Sequence, residues 1–509
     1  MTDSSPAPTP ASLAEPHAGL YGLAGTLAVL AALTLLRVLY LYVYPFDLHP
    51  DEAQYWVWAQ DLAFGYYSKP PMVAWLIAAT TAVCGDGEAA VRIGAPLLHF
   101  LTALAVYGVG HRLFDRRVGF WAALLYATLP GVSFSSVVMS TDLPLLLFWA
   151  VGLYAYVRAL QEKAWRWWLL LGLAIGLGLL GKYAMIFFPL SAGVHLALSR
   201  GRPNGWQWPK ALAALLLGVA IYAPNVIWNA DNSFVSYAHT SDNANLGSGH
   251  LFRLDSFFEF FGSQFGVFGP ALFAALIVIL LRRRGWLADA RQRLLVAFVL
   301  PTLLIMLIEG FLSRANANWA APAYVAGAVL VAAWALQANP RLWTGRALVA
   351  SGSVVGHAGL IAVFLVFIAA TFGRPDALPG KADPFKRVRG WHELGVAIDH
   401  VRNEYMPDAT LLVDERKLMA ETLYYVHPHP VQAYKWAPGP RIHDHFDLTR
   451  PYGTTAPDHV LYVTERTDAS EIISRFAQAD LIAEVRTPIG VGRERVVQLY
   501  DLEGFKGYR

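Results

Sequence analysis

The chain has 509 residues, of which 56% are hydrophobic and only 15% charged, with a mean hydropathy of +0.39, against roughly 25% charged in soluble proteins. Lys and Arg number 40 and Asp and Glu 37, a net charge of +3, too small a field to gather nucleic acid. The single cysteine, Cys84, excludes a disulfide framework, a thiolate-held cluster and a zinc ribbon, and a polytopic membrane protein remains.

Residues 1–18 are rich in Pro, Ala and Ser and lack a basic segment followed by a cleavage site, so they read as a disordered cytoplasmic tail instead of a signal peptide. Apolar runs near the ~20 residues that cross a membrane follow at 19–44, 88–111, 118–138, 142–160, 165–181, 183–199, 211–229, 257–281, 294–312, 317–336 and 347–372. They predict about eleven transmembrane helices. The first outer loop opens on His49, Pro50, Asp51 and Glu52, with Tyr55, Trp56 and Trp58 close behind. Pro50 suits a helix start and the two acids its positive end. Such a helix is expected to lie along the interface with its aromatic face in lipid. Its carboxylates serve either as caps or as a general base for an acceptor hydroxyl.

Lys69 precedes Pro70 and Pro71, which exclude helix at the lysine. An ammonium fixed on the outer face suits a phosphate, and the alternative is a lysine snorkelling to the headgroups. The apolar stretch 71–83 is too short to span and is expected to be re-entrant or interfacial. Thr141 and Asp142 head the fourth run, as an N-cap or as a site acid, and Lys182 sits in a tight outer turn. An outer loop is expected over 230–256, following Asn225, Trp228 and Asn229. Glu309 lies inside the ninth run, where a carboxylate is costly and therefore a candidate for function. Arg314, Asn316, Asn318 and Trp319 follow at its exit.

The loop charges orient the chain. Sixteen Lys and Arg residues, Arg282, Arg283 and Arg284 among them, fall on the alternate loops that share a side with the N-terminus. Only Lys69, Lys182, Arg253 and Arg314 fall on the short loops opposite. The positive-inside rule then places the N-terminus in the cytoplasm and the C-terminus outside. From about Arg374 the texture becomes polar and Pro-rich. Strand-like runs at 409–414 and 459–464 precede helical patterns at 416–426 and 469–479, and a closing hairpin is expected over 485–502 around Gly490 and Gly492. The fold class is thus an α-helical polytopic membrane protein with interfacial helices in its first outer loop and a C-terminal extracytoplasmic α/β domain. The expected division is a tail at 1–18, a transmembrane domain at 19–373 and an outer domain at 374–509.

These outer-loop strings resemble the GT-C membrane glycosyltransferases of the protein O-mannosyltransferase and aminoarabinose-transferase type. The resemblance covers roughly residues 20–372. Its strongest elements are Asp51, Glu52 and Tyr55, then Tyr67, Ser68, Lys69, Pro70 and Pro71, then Thr141 and Asp142. The strings 224–229 and 318–322 look like those of bacterial members that modify lipopolysaccharide or other envelope glycans. The resemblance implies a sugar moved from a polyprenyl-phosphate donor to a glycolipid or glycan acceptor on the outer face of a bacterial inner membrane, with inversion. It implies Asp51 and Glu52 as the catalytic acids. Tyr55, Tyr67, Lys69 and Asp142 bind substrate by the same likeness, while Lys182, Glu309, Arg314 and Asn318 are added from their placement alone. In the aminoarabinose branch an acid often precedes the lysine and has been linked to a metal. Here that residue is Ser68, so no metal site is assigned, and a divalent cation is compatible with the sequence without being required by it. The histidine pairs 427/429 and 443/445 are a weak metal pattern. Rival functions are a flippase of lipid-linked sugar, an O-antigen-type ligase and a protein O-mannosyltransferase.

Overall fold

The computed structural model describes residues 19–199, 205–244, 252–336, 343–371, 383, 385–407, 409–439, 441–490 and 492–508. The expected tail at 1–18 and the opening of the outer domain at 374–382 lie outside them. Seven described helices are long and apolar enough to cross a membrane: Leu23–Leu41, Glu88–Leu113, Asp142–Glu162, Trp208–Asp231, Ala290–Leu312, Ala317–Leu336 and Leu348–Ile368. The run expected at 257–281 is instead a pair, Leu254–Phe268 and Pro270–Leu281, bent by 113°. Gly269 makes the bend with a φ of +90°, a left-handed conformation that suits glycine, and Pro270 starts the second half.

Three expected runs appear as shorter helices. Arg116–Thr128 ends just before Pro130, which pushes Leu129 out of the helical region. Trp165–Gly181 and Tyr183–Leu198 meet at Lys182. The expected outer loop at 230–256 carries a further helix, Val235–Ala244.

Ala290–Leu312 and Ala317–Leu336 are largely enclosed by their neighbours, whereas Leu23–Leu41, Trp208–Asp231 and Leu348–Ile368 turn most of their apolar surface outward. Lipid is as apolar as leucine, so helix association there relies on close backbone approach. Gly110 and Gly119 supply one such point: a Cβ on Gly110 would come within 2.8 Å of the Gly119 Cα.

The chain closes on a five-stranded sheet of β1 (Thr410–Val413), β2 (Ala433–Lys435), β3 (Val460–Thr464), β4 (Phe476–Gly490) and β5 (Arg493–Phe505), ordered β2-β1-β3-β5-β4. β1 pairs in parallel with β2 and β3, while β5 is antiparallel to β3 and β4. Side chains alternate across the sheet. Leu411, Val413, Leu461 and Val463 face the helices Trp391–Tyr405 and Arg416–Tyr425, and Leu412, Val460 and Tyr462 join Trp436 and Phe476 in a core of their own. The helix expected over 469–479 shrinks to Ser470–Ile473. From Phe476 the chain pairs with β5 along fifteen residues of strand, so a long ladder overrides a local helical pattern.

The helix Pro50–Gln60 lies at the junction of the two parts. Its aromatic face, expected in lipid, is buried against protein. Trp56 packs edge-on to Tyr424, with ring centroids 5.0 Å apart, and Trp58 stacks on Tyr66 at 4.5 Å. One apolar core runs from Ala53, Trp56 and Val57 into Met419, Leu423 and Tyr424. The sheet domain thus docks on this segment through that shared core.

Candidate active site

Pro50 stands at the first position of the helix Pro50–Gln60, and His49 caps it by accepting the Asp51 amide at 3.2 Å. Glu52 completes the capping box by accepting the His49 amide at 3.0 Å. The two adjacent acids then part company. Glu52 points inward and is fully buried. Its oxygens accept from Arg92 Nη2 at 2.9 Å, from Arg92 Nε at 3.1 Å and from the Met139 amide at 2.8 Å. Expected beside Asp51 as a catalytic acid, Glu52 is not on the cavity wall. Its lone pairs are spent holding the first outer loop to the span that begins at Glu88.

Asp51 points the other way, half-buried, into a cavity of about 670 Å³. Gln54, Tyr55, Tyr67, Lys69, His239 and Asp242 line it, as do Arg314, Trp319, Arg387, Arg416 and His443. Burial opposes ionisation of Asp51. The Arg416 guanidinium, with His49 and Lys69, more than offsets this, so the carboxyl sits below its usual range. Arg416 Nη1 donates to Asp51 Oδ1 at 3.1 Å and to Gln54 Oε1 at 2.7 Å.

Lys69 has no ion-pair partner among the described residues. Burial, reinforced by the neighbouring Lys182, draws its ammonium below the ordinary lysine value. Arg314 and Arg387 likewise lack a carboxylate partner among the described residues. Tyr55 is buried, which pushes its hydroxyl well above the usual tyrosine value. Tyr67 packs on His239, ring centroids 5.2 Å apart.

Behind Lys69 lies a second cluster. Asp142 accepts from Lys182 Nζ at 2.7 Å through one oxygen and from Asn318 Nδ2 at 2.7 Å through the other. Three residues expected separately in the site therefore bond to one another. Glu309 is not on the cavity wall; it sits partly buried in the helix Ala290–Leu312, with Oε1 unpartnered among the described residues.

The loop that carries Lys69 is pinned from outside. Asn225 Nδ2 donates to the Phe64 carbonyl at 2.6 Å, and Ser236 Oγ donates to the Tyr66 carbonyl at 2.5 Å. The Trp228 ring lies where a Cβ on residue 65 would fall, so only glycine fits. This gives the amides around Asn225 a role that their sequence position alone did not reveal.

Sequence reasoning missed Gln54, His239, Asp242, Arg387 and Arg416. Gln54 had a usable signal, one helical turn beyond Asp51 on the same face. Arg416 had none, lying 365 residues from its partner in a charged domain. Of the histidine pairs, His427, His429 and His445 pack against other rings, while His443 lines the cavity. His445 sits against Trp58 and Tyr66 at 5.3 and 5.5 Å, and His429 against Trp56 at 5.1 Å. Burial draws His445 down to about 3, so it is neutral.

Nor do the cavity residues suit a divalent cation. Lys69, Arg314, Arg387 and Arg416 surround Asp51 and Asp242, a donor set that repels a metal and attracts an anion.

Residues 68–228 match the family described as dolichyl-phosphate-mannose-protein mannosyltransferase. A lipid A galacturonosyltransferase of Rhizobium johnstonii is 31% identical over 440 residues, which is 86% of this chain and 90% of the relative. An undecaprenyl phosphate-α-4-amino-4-deoxy-L-arabinose arabinosyl transferase of Pseudomonas aeruginosa is 33% identical over 163 residues, 28% of this chain and 30% of that one. Among solved structures, ArnT from Cupriavidus metallidurans in the apo state aligns with a TM-score of 0.62 at 15% identity, covering 94% of this chain and 98% of its own. That last likeness is one of fold.

Proposed function

The chain belongs to the GT-C membrane glycosyltransferases of the protein O-mannosyltransferase and aminoarabinose-transferase type, and from that premise we propose that it moves an acidic sugar from polyprenyl phosphate to lipid A or the lipopolysaccharide core. The observation that carries this reading is the cavity itself. Two acids, Asp51 and Asp242, stand among four cations, of which Lys69, Arg314 and Arg387 have no carboxylate partner among the described residues. A phosphodiester donor brings one negative charge and a uronate a second. A neutral sugar would leave half of that excess to be met by an anionic acceptor. The lipid A galacturonosyltransferase that aligns over most of the chain supports a hexuronic acid of the galacturonate kind.

In the proposed step an acceptor oxygen attacks the anomeric carbon from the face opposite the phosphate. The bond from that carbon to the phosphate oxygen breaks, and polyprenyl phosphate leaves with the electron pair. Lys69 stabilises the charge gathering on the leaving phosphate, and Asp51 takes the proton of a hydroxyl acceptor. If the acceptor is itself a phosphate, Asp51 stabilises the positive character at the anomeric carbon instead. Asp142, with Lys182 and Asn318, braces the cavity wall behind Lys69.

The topology belongs to the same proposal. Eleven spans result if the bent pair, Trp165–Gly181, Tyr183–Leu198 and the broken run of Arg116–Thr128 with Pro130–Ser135 all cross, with the N-terminus cytoplasmic and the sheet domain periplasmic at an inner membrane. A reporter fused after Arg374 should then be active only outside the cytoplasm. The activity is tested with purified protein in detergent, lipid A acceptor, and synthetic polyprenyl-phosphate donors carrying galacturonate, galactose or aminoarabinose. Galacturonate is expected to transfer best. Transfer from none of them would point to a flippase, and transfer to a peptide serine or threonine to a protein O-mannosyltransferase.

A further inference from the structure

Asp51 is held by a residue from the opposite end of the chain. Arg416 stands at the first position of the helix Arg416–Tyr425, which Glu415 caps by accepting the Lys417 and Leu418 amides at 2.6 and 3.0 Å. The start of that helix is therefore fixed. Its body is locked to the first outer loop by further bonds. Tyr425 Oη accepts the Leu48 amide at 2.8 Å and donates to Glu88 Oε1 at 2.5 Å, and Tyr424 Oη donates to the Asp86 carbonyl at 2.7 Å. The Trp391 amide donates to Asp47 Oδ2 at 2.7 Å. Arg416 thus reaches the cavity from a rigid platform, and its one guanidinium nitrogen spans Asp51 and Gln54.

We infer that Arg416 is a positioning residue for the transfer reaction: carried by the sheet domain, it holds the Asp51 carboxylate aimed into the cavity, so that the membrane-embedded part holds an incomplete site without that domain. This rests on the proposed function for what Asp51 does, but the link between the two residues stands on geometry. The charged or titratable groups facing Asp51 are His49 from its own helix cap, Lys69 from the following loop, His239 from the helix Val235–Ala244 and Arg416 from the sheet domain. Of these only Arg416 is within hydrogen-bond distance of the carboxylate: it lies 3.1 Å away, against 4.0 Å for His49. An exposed ion pair of this length is ordinarily worth little. Here burial works against the carboxylate, and with Arg416 gone only His49, Lys69 and His239, none of them hydrogen-bonded to it, oppose that burial. The protonation midpoint of Asp51 then rises.

The test uses the full chain in detergent with a polyprenyl-phosphate sugar donor. Arg416→Gln is expected to lower kcat about tenfold or more with donor KM nearly unchanged, and to move the acid limb of the kcat profile up by about one pH unit. Arg416→Lys should return the limb to its original place. Added to Asp51→Asn, Arg416→Gln should cost nothing further. A limb that does not move in Arg416→Gln overturns the inference. So does a rise in donor KM at constant kcat, which would make Arg416 a phosphate ligand. A second readout needs no turnover: carbodiimide labelling of Asp51, followed by mass spectrometry across pH, reports protonation directly. Its midpoint should rise in Arg416→Gln, and an unchanged midpoint overturns the inference even if every donor fails. Failure of all donors with wild-type protein instead removes the proposed function alone.

Discussion

The two sides of the helix Pro50–Gln60 carry the same chemical group to opposite ends. Glu52, on the packed side, is sealed from solvent and saturated by Arg92, the Met139 amide and its own cap. Asp51, one residue earlier, is half-buried on the cavity side and shares Arg416 with Gln54. A carboxylate whose lone pairs are all taken by fixed donors is unsuited to accept a proton from a substrate. One that keeps an open approach and a nearby cation is suited to it. Adjacent acids in sequence thus divide into a structural anchor and the carboxylate proposed as the reactive group. What separates them is the 100° turn per residue of an α-helix.

Mutations at the two positions should break the comparison in opposite ways. Asp51→Asn is expected to cost about 10²- to 10⁴-fold in transfer rate, the range of a lost general base, with an unaltered thermal unfolding midpoint in detergent. Equal activity would remove Asp51 from the mechanism. Glu52→Ala leaves the buried Arg92 guanidinium with only Glu88, 3.7 Å away, and the Phe46 and Asp47 carbonyls as partners, and is expected to cost about 3 kcal/mol of stability. A sharply lower unfolding midpoint or lost expression should reveal it, and a stable, inactive Glu52→Ala protein would return Glu52 to the catalytic set.

Lys69→Ala removes one charge-assisted contact to phosphate, worth about 1.5–3 kcal/mol, and should lower kcat/KM for the donor roughly 10- to 100-fold. Steady-state kinetics with varied donor checks this. The smallest effect is expected far from the cavity. Arg486→Gln on the β4–β5 hairpin breaks an exposed pair with Glu484 and Glu494, worth about 0–1 kcal/mol, and transfer should be unaffected.

The residues that sequence reading found share one property: each is a polar group out of place against an apolar background. Asp51, Tyr55, Tyr67, Lys69 and Arg314 all fall on short outer loops, and all line the cavity. Local contrast identified them. It could not separate Asp51 from Glu52, because the partner that captures Glu52, Arg92, sits 40 residues on within an apolar run. Nor could it find Arg416, one charge among many in a soluble domain. The same limit explains the aromatic face of the helix Pro50–Gln60. Trp56 and Trp58 carry the pattern of an interfacial helix, and only the docked sheet domain shows that their surface is covered by Tyr424, His429 and His445. In β4, pairing with β5 prevailed over the helical texture near 476–479, again a long-range effect that no window of neighbours contains.

The most direct test of the central claim is a single transfer assay with purified wild-type and Asp51→Asn protein, lipid A acceptor and a synthetic polyprenyl-phosphate galacturonate donor. The expected result is a galacturonate-bearing lipid and free polyprenyl phosphate from wild type, and both formed at least about 10²-fold more slowly by Asp51→Asn at matched folding. Product formed equally by both proteins would contradict the account.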